Sequence, residues 1–219
     1  MKGAGQPPVT TYEEALTRAA ALAVTGGRRL LGIAGAPGAG KSTLAADVVA
    51  AVAPAAVLVP MDGFHLAQAE LVRLGRADRK GAPDTFDAAG LVALLQRLRQ
   101  QTPGPGLHDE VVYAPHFDRS IEEAVAGAIP VAADVPLVVV EGNYLLHGDG
   151  AWAGVEPLLD ECWFVEVDDT LRVERLVSRH MSFGRSPAAA REWVLRSDEA
   201  NARLVSRTRG RATAVVRLG

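Results

Sequence analysis

Cysteine is nearly absent: Cys162, in the stretch ECWFVEV, is the only one in 219 residues. It cannot close an internal disulfide, so a reducing compartment suits the protein, and a packed core thiol without chemistry is the expected role. No apolar run approaches the ~20 residues that span a bilayer, and the N-terminal MKGAGQPPVT lacks the apolar core of a secretory signal. A cytoplasmic protein with no membrane partner is expected. Nor is there a large excess of charge: the formal net charge is −3, which argues against non-specific attraction to nucleic acid. No repeat and no domain-sized linker interrupts the chain, so one domain over 1–219 is expected.

Lysine is scarce as well. Of 23 basic residues only Lys2, Lys41 and Lys80 are lysines. A lysine is a compact point charge on a flexible stem, where arginine is a planar fork. In a chain that otherwise uses arginine, the two internal lysines are expected where that shape matters, with arginine-biased sampling as the competing reading.

What is present is an alternation of elements. Thr11 and Glu14 have capping-box spacing ahead of EALTRAAALAV, which predicts a helix to about Val24 closed by Gly26 and Gly27. RLLGIAG predicts a buried strand, KSTLAADVVAAVA a helix, AVLVP a strand, DAAGLVALLQRLRQ a helix, and QTPGPGLHD a polar connection. EVVYAP predicts a short strand and RSIEEAVAGA a helix. PLVVVEG and ECWFVEV are buried strands, DDTLRVERLVSRH and SPAAAREWVLRSDEANARLVSRT are helical, and TAVVRL is a final strand. Continuous apolar runs alternating with amphipathic helices define an α/β chain, a parallel sheet covered on both faces.

Gly35, Ala36, Pro37, Gly38, Ala39, Gly40, Lys41 and Ser42, followed by Thr43, read G-x-x-x-x-G-K-S-T between a strand and a helix. Glycines let the backbone fold around phosphate oxygens with its N–H groups turned inward, and the following helix points its positive end at the anion. Lys41 reaches the β- and γ-phosphates and Ser42 ligates Mg²⁺ in such a cradle. Binding of a nucleoside triphosphate follows.

The segment VLVPMDGFH sets a second question, because Asp62 at the end of a buried strand could begin a turn, hold a metal, or take a proton. In open α/β sheets ligands bind at the carboxyl ends of the strands. Asp62 follows AVLVP at the cradle's end of the sheet, and Glu141 follows PLVVV there too. Glu141 fits a carboxylate that holds Mg²⁺ directly or through water. Asp62 fits a general base, since a hydroxyl acceptor must lose a proton as the new bond forms, an assistance worth ~10²- to 10⁴-fold.

The ordered set GAPGAGKST, MDGFHL, RKGAPDTFD, YAPHFDRS and VVVEGNYLL resembles the P-loop phosphoribulokinase/uridine kinase/pantothenate kinase family over roughly residues 30 to 210. It is most similar to a bacterial nucleoside/nucleotide kinase-like or fructokinase-like subgroup. The resemblance implies a three-layer P-loop NTPase fold with a mostly parallel five-stranded sheet and a helical lid at about 175–190. It also implies ATP-dependent phosphorylation of a small-molecule hydroxyl acceptor (a sugar, a nucleoside or a pantothenate-like compound), with Asp62 the catalytic aspartate. Asp84 in RKGAPDTFD would bind acceptor hydroxyls, and Asn143 in VVVEGNYLL is placed with the acceptor-facing residues. The segment departs from pantothenate kinases at Ala82 and Thr85, and GFHLAQ lacks the aromatic run of uridine kinases, so the acceptor is left open.

Lys80 fits a point charge near the acceptor, and Arg73, Arg76 and Arg79 around it either read an anionic group or form a solvated basic loop. His65, Tyr113, His116 and Phe117 are candidate walls for a ring-shaped acceptor, or packing residues. No histidine metal site is suggested. Along the lid helix, Arg172, Arg175 and Arg179 form a stripe beside an apolar face, with Gly184 and Arg185 at the tip. Arg175 and Arg179 are expected to neutralise charge as the phosphoryl group moves. Asn201 receives no role, and a homodimer is left open. Two other readings compete: a regulatory or assembly NTPase acting on a protein partner, and a nucleotide kinase, which would need clamping arginines in place of a base. A switch GTPase is excluded by the lack of an N-K-x-D motif.

Overall fold

The computed structural model describes residues 6–102 and 111–218. The connection expected at QTPGPGLHD lies, from residue 103 on, outside the described residues. Strand β1 (Val9–Thr10) leads into helix α1 (Tyr12–Ala23) through the Thr11/Glu14 capping box, in which Thr11 accepts from the Glu14 N–H and Glu14 accepts from the Thr11 N–H. Strand β2 (Arg29–Gly35), the phosphate-loop segment and helix α2 (Lys41–Ala51) follow as the sequence predicts. Strand β3 (Ala56–Pro60) ends in a single 3-10 turn, Met61–Phe64, then the short helix α3 (Gln68–Arg73). Helix α4 (Ala88–Gln100) is capped by Asp87, which accepts from the Gly90 N–H. After the hairpin β4 (Val112–Asp118) and β5 (Glu123–Val131) come β6 (Leu137–Glu141) and β7 (Glu161–Glu166). Helices α5 (Asp169–Ser182), α6 (Pro187–Trp193) and α7 (Glu199–Ser206) precede the last strand, β8 (Ala214–Arg217).

The main sheet has six strands, all parallel, in the order β1-β8-β7-β2-β6-β3. Five were expected. The sixth, β1, pairs Val9 with Val215 and Thr10 with Val216; two residues between prolines and a helix cap are too few to show a strand period. Alternation along β2 sends Leu31 and Ile33 to one face, where they pack with α1 and α2, and Leu30 and Ala34 to the other, against α4 and α7. Both faces are therefore apolar, which is why the strands read as continuous hydrophobic runs. Cys162 is buried in this core, its thiol so close to Gly32 that a Cβ there would meet Sγ at 2.7 Å, and burial pushes the thiol pKa up.

The segment 119–128, expected as a helix, is instead the turn and the first two-thirds of β5. Its composition suits a helix, but pairing with β4 over Val112–Val131 and Phe117–Ala124 overrides that preference. Gly127, with φ 71, sits where the register slips opposite Pro115. The hairpin buries Val112, Ala114 and Val131 on the core and so lies across the turn that carries Asp62.

Candidate active site

Between the end of β2 and the start of α2 the chain needs a sharp loop. Gly38 shows why glycine is required there: its φ is 78, and a Cβ would meet Leu176 at 2.7 Å and the Arg172 carbonyl at 2.9 Å. The first turn of α2 has no side-chain cap, so its N–H groups are available to an anion. Lys41 is 6% exposed, and its Nζ donates to the Ala36 carbonyl at 2.9 Å. Burial lowers its pKa, while Glu141 and then Asp62 pull it back up.

Register brings the two carboxylates to that lysine. Glu141 pairs with Pro60 on one side and Ile33 on the other, so it stands between the strand that ends in Asp62 and the strand that enters the loop. Burial raises the Glu141 pKa, and the Lys41 ammonium opposes this more than the Ser42 hydroxyl does. A single cleft of about 940 Å³ is lined by Lys41, Ser42, Thr43, Asp62 and Glu141 together with residues of the lid. Pro37, Gly38 and Gly40 face it as well, whereas Ala36 and Ala39 face a separate cavity of about 640 Å³ beside β7 and α7.

Gly63 explains the glycine that follows the aspartate. A Cβ at this position would lie 2.3 Å from the Pro115 carbonyl oxygen, so only glycine lets β4 close over the Met61–Phe64 turn. That closure carries Arg119, at the hairpin tip, to Asp62: Nη2 stands 3.3 Å from Oδ2. His65 bonds the Asp62 carbonyl through Nδ1 at 2.7 Å and stacks between Phe86 and Phe117, with centroids at 4.0 and 4.7 Å. Burial lowers the His65 pKa. Lys80 donates to the Glu122 carbonyl at 2.7 Å and lies over the Phe117 ring. The loop carrying Lys80 is tied down at Gly81, whose carbonyl accepts from the Tyr144 hydroxyl at 2.6 Å and from Asn201 Nδ2 at 3.4 Å. Asn201 thus gains a role that its sequence position did not reveal.

Other expected residues are not brought to the cleft. Asp84 does not line it, because Arg79 at 2.8 Å and Arg76 at 3.3 Å occupy its carboxylate, and the Arg79 bond holds its pKa below the usual range. Arg73 is paired with Glu70. Of the basic residues Arg73, Arg76, Arg79 and Lys80, Lys80 is the one that faces the cleft. Tyr113 and His116 also lie outside it, and both are exposed: Tyr113 alternates outward between the buried Val112 and Ala114, and past the irregularity at Pro115 His116 faces out while Phe117 faces in. His65, Lys80 and Asn143 do line it.

The arginine stripe of α5 divides. Arg175 and Arg179 line the cleft, and among the described residues their guanidinium groups make no hydrogen bond or ion pair. Burial, and then Arg119, lower the Arg179 pKa. Arg172 is a structural clamp: 3% exposed, it pairs with Glu199 and Asp169 and donates to the Pro37 carbonyl at 3.4 Å, joining the lid helix to α7 and to the loop. Arg119, missed in the sequence, was concealed by the chain's abundance of arginine and by the misread helix. The one available signal was its place in YAPHFDRS.

A parallel sheet whose central strand β2 enters a glycine-rich lysine loop, with carboxylates from the ends of the next two strands on one side, β6 and β3, converging on that lysine, is the architecture of a P-loop kinase. No family model matches the chain. Curated relatives do. The ATP-dependent kinase-like protein notR' of Aspergillus versicolor is 36% identical over 148 residues, 65% of this chain and 84% of that one. A Schizosaccharomyces pombe protein provisionally named a uridine kinase is 33% identical over 201 residues, covering 88% and 83%. Among solved structures, one from Silicibacter sp. TM1040, provisionally described as a fructose transport system kinase, superposes with a TM-score of 0.79 at 36% identity over 90% of this chain and 98% of that one. The chain belongs to the P-loop phosphoribulokinase/uridine kinase/pantothenate kinase family. No helix among the described residues is long and apolar enough to cross a membrane.

Proposed function

We propose that the chain is an ATP-dependent kinase that transfers the γ-phosphoryl group to a hydroxyl of a small molecule, with Asp62 as general base. The observation that supports this is the position of Asp62 in one cleft with Lys41, Ser42 and Glu141. The loop N–H groups and Lys41 hold the triphosphate, and Arg175 and Arg179 from the lid, about 175–190, offset charge on the moving phosphoryl group. The acceptor oxygen attacks the γ-phosphorus, its proton passes to Asp62, and the bond to the β,γ-bridging oxygen breaks to release ADP. Ser42 and Glu141 are hard oxygen donors side by side and fit Mg²⁺, which they would hold. When bound, the ion supplies charge neutralisation on the phosphates. His65, Lys80 and Asn143 form the acceptor end. On this reading residues 1–219 make up one kinase unit, with no second domain invoked.

Asp62→Asn is expected to lower turnover with an acceptor by at least ~100-fold while ATP affinity changes little. Retained turnover would remove the base. If no small acceptor raises ADP formation but a protein partner does, the chain is a regulatory NTPase instead.

A further inference from the structure

One contact conflicts with the chemistry just described. Arg119 Nη2 stands 3.3 Å from Asp62 Oδ2, placing a hydrogen-bond donor on the oxygen that should be open to a proton. The two side chains are 42% and 35% exposed, so the pair is weak and exchangeable. The turn beneath it is well defined: Asp118 Oδ1 accepts from both the Ser120 N–H and its hydroxyl, and Glu122, at φ 54, is held through its carbonyl by Lys80. The Arg119 side chain, 42% exposed, can swing without disturbing that turn.

The charges around this contact are unequal. Lys80 donates to a carbonyl and pairs with no carboxylate among the described residues, and Arg185 lies on the Trp193 ring at 4.2 Å. Of the acidic groups, Asp198 is bonded to His180 at 2.9 Å, and Glu122 is exposed at the rim. An acceptor with an oxyanion would complement Lys80 and would compete with Asp62 for Arg119. A guanidinium fork matches a carboxylate or phosphate in two parallel hydrogen bonds, a better partner than the single contact it leaves. A neutral acceptor offers nothing in exchange.

We propose that the acceptor is a hydroxylated anion bearing a carboxylate or phosphate, and that this group draws Arg119 off Asp62, so that acceptor binding itself uncovers the base. The inference rests on the kinase reading above and makes Arg119 a positioning and specificity residue. Neutral sugars and nucleosides are then poor acceptors, because they leave the base covered.

The test holds the cradle filled with a non-hydrolysable ATP analogue and Mg²⁺, and measures affinity by calorimetry for matched probes: glycerate against glycerol, pantothenate against pantothenol, and inorganic phosphate alone. At least one carboxylate probe is expected to bind ~10-fold or more tighter than its neutral partner, or phosphate to bind where neutral probes do not. Arg119→Gln should abolish the preference, Lys80→Gln reduce it, and Arg119→Lys restore only part of it, since a point charge lacks the fork. For whichever anion is turned over, Arg119→Gln should raise KM more than it lowers kcat. Equal binding of charged and neutral probes, no response to any oxyanion, or an undiminished preference in Arg119→Gln would each overturn the proposal. Failure of the ATP analogue to bind would overturn the kinase reading instead.

Discussion

Replacing Arg172 with methionine tests whether the lid helix, α7 and the phosphate loop are held by one buried cation. Its side chain is 4% exposed and faces Glu199 at 22% and Asp169 at 89%. Removing one partner of a buried pair costs about 3 to 5 kcal/mol, because the remaining charge is stranded. Here Asp169 is already solvated, so its share is small, and Glu199 regains some hydration through its open fifth. The expected loss is therefore about 2 to 3 kcal/mol, or about 5–10 °C in Tm for a chain of this length. Glu199→Gln in the Arg172→Met background removes the stranded charge and should recover part of that loss. Urea unfolding of the wild type, both single variants and the double variant gives the coupling directly. A loss below ~0.5 kcal/mol in Arg172→Met, or a cycle with no coupling, would refute the argument that this arginine clamps the three elements.

Gly63→Ala should cost about 1 to 3 kcal/mol, since a Cβ 2.3 Å from the Pro115 carbonyl forces the hairpin away from Asp62; activity per folded molecule should fall with it, and an unchanged urea midpoint would contradict the packing. His65 gives a pH dependence. Burial holds its folded pKa below the ordinary 6.5, so between those values the unfolded chain binds more protons. Its contribution to stability is complete above about pH 6.5 and declines as pH falls toward the folded pKa. Urea midpoints at pH 7.5, 6.5 and 5.5 should fall in the wild type and fall less in His65→Gln; parallel slopes would assign the effect elsewhere.

The parts legible in the sequence were those specified locally. The run GAPGAGKST encodes its own loop, and the strand-end position of Asp62 and Glu141 follows from the apolar runs before them, because in a parallel sheet the carboxyl ends of the strands share one edge. What required the fold was pairing across long separations. No neighbouring residue marks 119–128 as a strand, since β4 supplies the partner, and the two-residue register slip opposite Pro115, past which His116 faces out and Phe117 in, appears only when the two strands are aligned. Asp84 was displaced for a related reason. Its carboxylate could serve an acceptor or its own loop, and the nearby Arg76 and Arg79 take it for the loop.

The scarcity of lysine can now be given a physical sense. Several arginines pair with carboxylates around the body of the fold, as Arg18 does with Glu161, Arg29 with Asp160 and Arg209 with Glu166. The two internal lysines both line the cleft, and neither pairs with a carboxylate among the described residues. Each donates instead to a backbone carbonyl, Lys41 to Ala36 and Lys80 to Glu122. A carboxylate partner would hold the cation in place and neutralise it, while a carbonyl leaves the full charge and, on a lysine, two further donors for an incoming anion. A flexible stem can swing such a head without breaking an ion pair, whereas a guanidinium in so narrow a site as that of Lys41 would have to fit its whole plane. Lysine at 41 and 80 therefore sets a carbonyl-anchored positive charge at two points of the cleft, one at the phosphate loop and the other at the proposed acceptor end, beside the guanidinium groups of Arg175 and Arg179, unpaired among the described residues.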